Sequence, residues 1–257
     1  MIAQTNQLFL LSYNHSLFYA FVFCATLCSY NFHWYLTPYV PSSSYRIAWN
    51  HQNRSTILYI YLITAICSLY LGWQIRHHWM AISLGIVATF LYTAPKIPHK
   101  YFSLLSKIAF GKTLFLTFVW MYVTTALPIL ISDSNWTFNH SLFCISRFTL
   151  IYAICILFDY RDRESDQASG VKSMITWLSE QKVLWIFILS LLLFFISTIA
   201  MSGGPFSVFT KILLLVPGAI VWLLYRYSKK HSGDYLYYFV LDGLMMFSSI
   251  LTLLFRF

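Results

Sequence analysis

Windows of about 20 nearly uncharged residues, the length that carries a helix across a bilayer, recur along the whole chain. They fall at 17–37, 56–74, 79–95, 108–131, 141–160, 184–202, 208–227 and 235–255. Short polar breaks separate them: SSSYRIAWNHQNRS, KIPHK, SDSNWTFNH, the 159–182 segment, SGGP and SKKHSGD. Segments that apolar cannot all pack inside one water-soluble core. The expected fold is therefore an all-α polytopic membrane bundle of about eight transmembrane helices, forming a single domain over 1–257. Composition agrees, with 59% hydrophobic and 10% charged residues, against roughly a quarter charged in a soluble domain.

The formal charge of +9 does not point to nucleic acid, because Lys and Arg lie in short clusters between apolar runs rather than on one basic face. The clusters set a topology instead. Arg46, Arg54, Lys96, Lys100, Lys107, Lys112, Arg161, Arg163, Lys172, Lys182, Arg226, Lys229 and Lys230 all fall on one side of an eight-span arrangement. The other side holds Arg76 and Lys211. By the positive-inside rule the basic side is cytoplasmic, with both chain ends outside. No removable signal peptide is expected, since the first apolar run lacks a positive flank. The five cysteines lack disulfide or zinc spacing, so no disulfide partner is expected.

Two charges fall inside spans, Arg147 and Asp242. Each is costly in hydrocarbon and is expected either to pair with a neighbouring helix or to line a polar cavity.

Four of the eight acidic residues, Asp159, Asp162, Glu164 and Asp166, crowd into the octet DYRDRESD at the end of a span. If the helix continues, Asp159, Asp162 and Asp166 stand at i, i+3 and i+7 on one stripe. Hard carboxylate oxygens on one face suit Mg²⁺, which takes phosphate oxygens as further ligands, so the stripe suggests a lipid diphosphate. Spacing alone leaves a second reading open, a solvated helix end whose acids are neutralised by Arg161, Arg163 and Lys172.

The segment FDYRDRESDQASGVKSMITWL resembles the second aspartate-rich motif of the UbiA-type intramembrane prenyltransferases. That motif is a D-x-x-D-x-x-x-D run followed by Gly and by Lys or Thr/Ser before an apolar segment. Asp159, Asp162, Asp166, Gly170, Lys172 and Ser173 match it. LYTAPKIPHK is similar to the Tyr-plus-Lys segment of an earlier cytoplasmic loop in that family, through Tyr92, Lys96 and Lys100. The family's first motif, N-D-x-x-D-x-x-x-D, is degenerate here: CSYNFHWYLTP keeps Asn31 but carries Phe32 and Tyr35 where aspartates are expected. The family usually has nine helices, so eight windows imply that its first helix is missing.

The resemblance implies a Mg²⁺-dependent prenyltransferase acting on a prenyl diphosphate and an apolar acceptor, aromatic or lipid. Asp159, Asp162 and Asp166 would be the catalytic and metal-holding set. Tyr92, Lys96, Lys100, Arg161 and Lys172 would bind the diphosphate, joined by Asn31 and His33, although a His beside Trp34 and Tyr35 is also an ordinary packing residue. The protein would be multi-pass, with the aspartates facing the cytoplasm, in the inner membrane if the source is bacterial. The degenerate first motif keeps a second function open, a non-catalytic relative that binds a lipid diphosphate or serves membrane assembly. A transporter is disfavoured, since no inverted repeat is visible.

Overall fold

A computed structural model describes residues 1–37, 45–94, 97, 111–132, 134–168, 173–231, 233 and 235–255; within these, the side chains of 45–47, 111–112, 164–166 and 168 are left undescribed. All regular structure among the described residues is helical. The chain divides into two units, Tyr13–Leu105 and a second made of Met1–Ser12 with Ser106–Phe257.

In the Tyr13–Leu105 unit, α2 (His15–Tyr35) and α4 (Arg54–Gln74) pack along one another; α1 (Ile2–Phe9) belongs to the other unit. The short α3 (Tyr45–Gln52) links them, and a one-turn 3₁₀ segment at Arg76–His78 leads into α5 (Trp79–Thr93). Gly72 is a packing glycine: a Cβ there would lie 3.3 Å from the Phe21 ring. Large apolar residues on α4 point outward, including Ile63, Ile66, Leu69 and Tyr70. Outward Leu and Ile are expected where the surrounding solvent is lipid.

The other unit is built on α8 (Phe138–Ala168), whose 31 residues extend about 46 Å, longer than the ~30 Å hydrocarbon core. Leu150, Ile151, Ala153, Ile154, Ile156 and Leu157 on it are fully buried. A run apolar on every side is the sequence condition for a helix surrounded by others. Around it stand α6 (Gly111–Met121) continuing through a π-helical turn Tyr122–Ala126 into α7 (Leu127–Ile131), then α9 (Met174–Trp177), α10 (Glu180–Ala200) and α11 (Val208–Ser228). A second π-helical stretch, Leu236–Leu241, runs into α12 (Asp242–Leu254).

Helices form at the positions of all eight apolar windows. Six described segments are long and apolar enough to cross a membrane: Arg54–Gln74, Thr113–Ile131, Phe138–Arg163, Glu180–Ala200, Val208–Ser228 and Leu236–Leu254. The other two are α2, diluted by residues such as Asn31 and His33, and α5, which at 15 residues reaches only about 22 Å. The chain is an integral, multi-pass membrane protein.

The two intramembrane charges differ. Arg147 is fully buried and pairs with a neighbouring helix through hydroxyls: it donates to Ser248 Oγ on α12 at 2.9 Å and to Ser146 Oγ at 3.2 Å. Its guanidinium lies between the rings of Phe143 (5.0 Å) and Phe194 (5.6 Å). Ser146 bonds Thr198, and Ser248 donates to Gln4 Oε1, whose amide donates to Thr252. The buried Gln4 of α1 is thus part of one network with the cation. Asp242, in contrast, is exposed.

Tyr237 ties the last hairpin, its hydroxyl donating to Ser228 O at 2.8 Å across a fully buried ring. Replacing Tyr237 by Phe leaves that carbonyl short of a donor and is expected to cost about 1–2 kcal/mol, read as a lowered unfolding midpoint in detergent.

Candidate active site

Because α8 runs unbroken from Phe138 to Ala168, the apolar span and the acidic octet are one element. Asp159, Asp162 and Asp166 therefore hold i, i+3 and i+7 positions on a single helix. The side chains of Glu164 and Asp166 lie outside the described residues, as do Lys96, Lys100, Gly170 and Lys172.

Asp159 is 4% exposed, and Thr113 Oγ1 donates to its Oδ2 at 2.8 Å. A carboxylate so desolvated is retained only with donors or cations around it. Thr113 is equally buried and stands at the start of α6, so one hydroxyl fixes the carboxylate between two helices.

Asp162, one turn on, is partly exposed and accepts from Arg161 Nε at 2.8 Å. The Arg161 guanidinium lies over three rings: Phe158 at 5.1 Å, Tyr237 at 5.1 Å and Tyr238 at 4.6 Å. Aromatic faces hold the cation by its charge while shielding it from water. Between the aspartates, the Tyr160 hydroxyl meets that of Tyr225 at 3.1 Å. The ammonium of Lys229, ion-paired with Glu180, sits 5.4 Å and 5.5 Å from the same two rings. Ser173, the described end of the motif, is buried and closes a capping box with Thr176 at the start of α9.

The donor set suits a hard divalent cation. Asp159 and Asp162 offer carboxylate oxygens one turn apart, and among the described residues no group of three His, Cys, Asp or Glu side chains assembles a closed cage. Few protein oxygens, completed by water and phosphate, is how Mg²⁺ is usually held.

In the Tyr13–Leu105 unit, two residues singled out from distant parts of the sequence meet: the His33 and Tyr92 rings stack with centroids 5.1 Å apart and planes 10° apart. Asn31 donates from Nδ2 to Leu27 O of its own helix at 2.7 Å. Where the resemblance calls for aspartates, rings are packed instead. Phe32 stacks on Tyr61 at 5.3 Å, and Arg54 lies 4.4 Å over Tyr35.

Sequence reasoning missed Thr113, Tyr160, Tyr225, Lys229, Tyr237 and Tyr238. A lone hydroxyl within an apolar window is the trace Thr113 leaves, but its pairing with a residue 46 positions on is a product of the fold. The aromatic set is hidden by abundance, since Phe, Trp and Tyr make up 20% of the chain.

No curated protein and no solved structure matches this chain. The UbiA prenyltransferase family matches residues 37–250, which includes LYTAPKIPHK and the whole acidic octet and begins after Asn31 and His33. With that match covering most of the 257 residues, the chain belongs to the UbiA prenyltransferase family.

Proposed function

We propose that this protein is a Mg²⁺-dependent prenyltransferase that moves an isoprenoid from a prenyl diphosphate to an apolar acceptor, aromatic or lipid, within the membrane. Prenyl transfer is the chemistry named by its family. The observation that carries the reading for this chain is Asp159, a carboxylate buried at the end of a span and kept there by the Thr113 hydroxyl, with Asp162 one turn on.

In this reading Asp159, Asp162 and Asp166 hold the metal, and Lys96, Lys100, Arg161 and Lys172 take the diphosphate oxygens, with Tyr92, Asn31 and His33 as hydrogen-bonding partners. When bound, Mg²⁺ supplies charge neutralisation at the diphosphate. The bond from prenyl C1 to the diphosphate oxygen breaks, and its electron pair departs with pyrophosphate. The acceptor's nucleophilic atom then bonds to C1 and gives up its proton. Arg161, held by Phe158, Tyr237 and Tyr238, is a pre-positioned cation for the departing anion, and pre-positioned charge needs no reorganisation as the bond breaks. The surplus of Lys and Arg on that side supports a cytoplasmic active-site face.

The test is Mg²⁺-dependent binding of a radiolabelled prenyl diphosphate to purified protein. Native protein should bind only with the metal present, and an Asp159→Asn/Asp162→Asn chain should lose that dependence. Metal-independent binding equal in both chains would refute the assignment. The Thr113 contact makes a finer prediction. Thr113→Val keeps the shape but removes the donor, leaving a buried acceptor short by about 1–3 kcal/mol, so turnover should fall roughly 10-fold, with Thr113→Ser recovering most of it.

A second reading rests on the aromatic packing at Phe32 and Tyr35. A chain lacking the first aspartate set and retaining one diphosphate half-site would bind the lipid diphosphate without transferring it. Metal-dependent binding with no turnover across a panel of acceptors is its signature.

A further inference from the structure

At the opposite end of α8 from the aspartates, roughly 28 Å along the helix axis, a cavity of about 380 Å³ opens between three segments of one unit. Leu8, Phe9 and Leu10 come from the end of α1, Ser134, Asn135 and Thr137 from the loop entering α8, Asn139 and His140 from its first turn, and Ser202 to Phe206 from the SGGP turn. None of its described lining residues is charged. A phosphate or an amine would meet no compensating charge from them, which disfavours both.

His140 gives the cavity its chemistry. The ring is 4% exposed, wedged against Phe9 at 4.3 Å and Trp136 at 5.6 Å. Its Nδ1 accepts from the Thr137 backbone amide at 2.9 Å, so the ring proton resides on Nε2. Among the described residues Nε2 has no hydrogen-bond partner. The residue lines the cavity, and its Nε2–H keeps accessible surface there, free to donate to an acceptor bound in it. The frame around it is fixed: Asn139 bonds Ser202 in both directions, through Nδ2 to the carbonyl at 2.7 Å and from the Ser202 amide to Oδ1 at 3.3 Å. Gly203 and Gly204, at φ 76° and 49°, turn the chain where side chains would be strained.

Phe9 and Phe206 add apolar ring surface, and Ser134, Asn135 and Thr137 add groups that both donate and accept. Ring faces beside neutral, two-way hydrogen-bonding groups match a ligand with apolar C–H faces and many hydroxyls. We propose that this cavity is a second binding site, separate from the aspartate end, for a neutral pyranose: the sugar headgroup of a membrane glycolipid, whose acyl chains would lie along the outside of the spans.

The test is native mass spectrometry on the full chain, purified in a detergent without a sugar headgroup. It is titrated separately with monoglucosyl diacylglycerol, methyl β-glucoside and phosphatidylglycerol. Native protein should retain one glucolipid in preference to phosphatidylglycerol. His140→Phe, and independently Asn135→Ala at an exposed position that should not disturb folding, should each weaken retention at least 10-fold, while Asp159→Asn leaves it unchanged. Binding of the glucoside as tightly as the lipid would assign the site to a free sugar with the same chemistry. Equal retention by native and variant chains, equal preference for phosphatidylglycerol, or no sugar binding at all would overturn the proposal.

Discussion

Asp159→Asn is expected to slow pyrophosphate release from a prenyl diphosphate about 10²- to 10³-fold, the usual effect of removing one electrostatic group acting on a developing charge. The substitution is nearly isosteric, and an amide oxygen still accepts from Thr113 Oγ1, 2.8 Å away in the native site. The fold should therefore survive while the negative charge is lost. Asp162→Asn should do less, because its carboxylate is more exposed and already shared with Arg161, where solvent screens the field. A coupled assay for pyrophosphate, run beside far-ultraviolet circular dichroism, separates lost chemistry from lost structure. Equal activity in all three chains would remove the aspartates from the reaction.

The largest structural effect is expected at Gly218. A Cβ placed there would sit 2.2 Å from Phe194 Cε1 and 2.7 Å from Cδ1, well inside van der Waals contact. Phe194 has little freedom to yield, since its ring is fully buried, faces Arg147 and packs at 5.2 Å on Phe195. Gly218→Ala should therefore cost about 3 kcal/mol or more, at the upper end for overpacking, seen as a lower thermal unfolding midpoint. Adding Phe194→Leu should restore part of the loss, because two residues in contact do not act additively. If Gly218→Ala unfolds like the native chain, the α10–α11 packing described above is wrong.

Much of this architecture was legible in the chain. Apolar windows located the helices because only a helix closes its own backbone hydrogen bonds in lipid. The i, i+3, i+7 spacing of the aspartates held because α8 runs on past the span. Hydropathy registers the polar residues that dilute α2, Asn31 and His33 among them, but it did not foretell the early end of α5 at Thr93. Partners distant in sequence were invisible: nothing in the order of residues joins Thr113 to Asp159, His33 to Tyr92, or Arg147 to Ser248. Arg147 was visible as a charge in a span. That hydroxyls and ring faces surround it, with Asp242 left on the surface, is decided by helix rotation, which a run of uniformly apolar residues does not encode.

Whether this chain transfers prenyl groups is read most directly by phosphorus NMR of purified protein in bilayers given a prenyl diphosphate and a panel of aromatic and lipid acceptors, with and without Mg²⁺. Prenyl transfer predicts that the diphosphate resonances give way to free pyrophosphate only when Mg²⁺, an acceptor and intact Asp159 and Asp162 are all present. A prenyl diphosphate that binds with the metal yet stays intact, across chain lengths and acceptors, would contradict it.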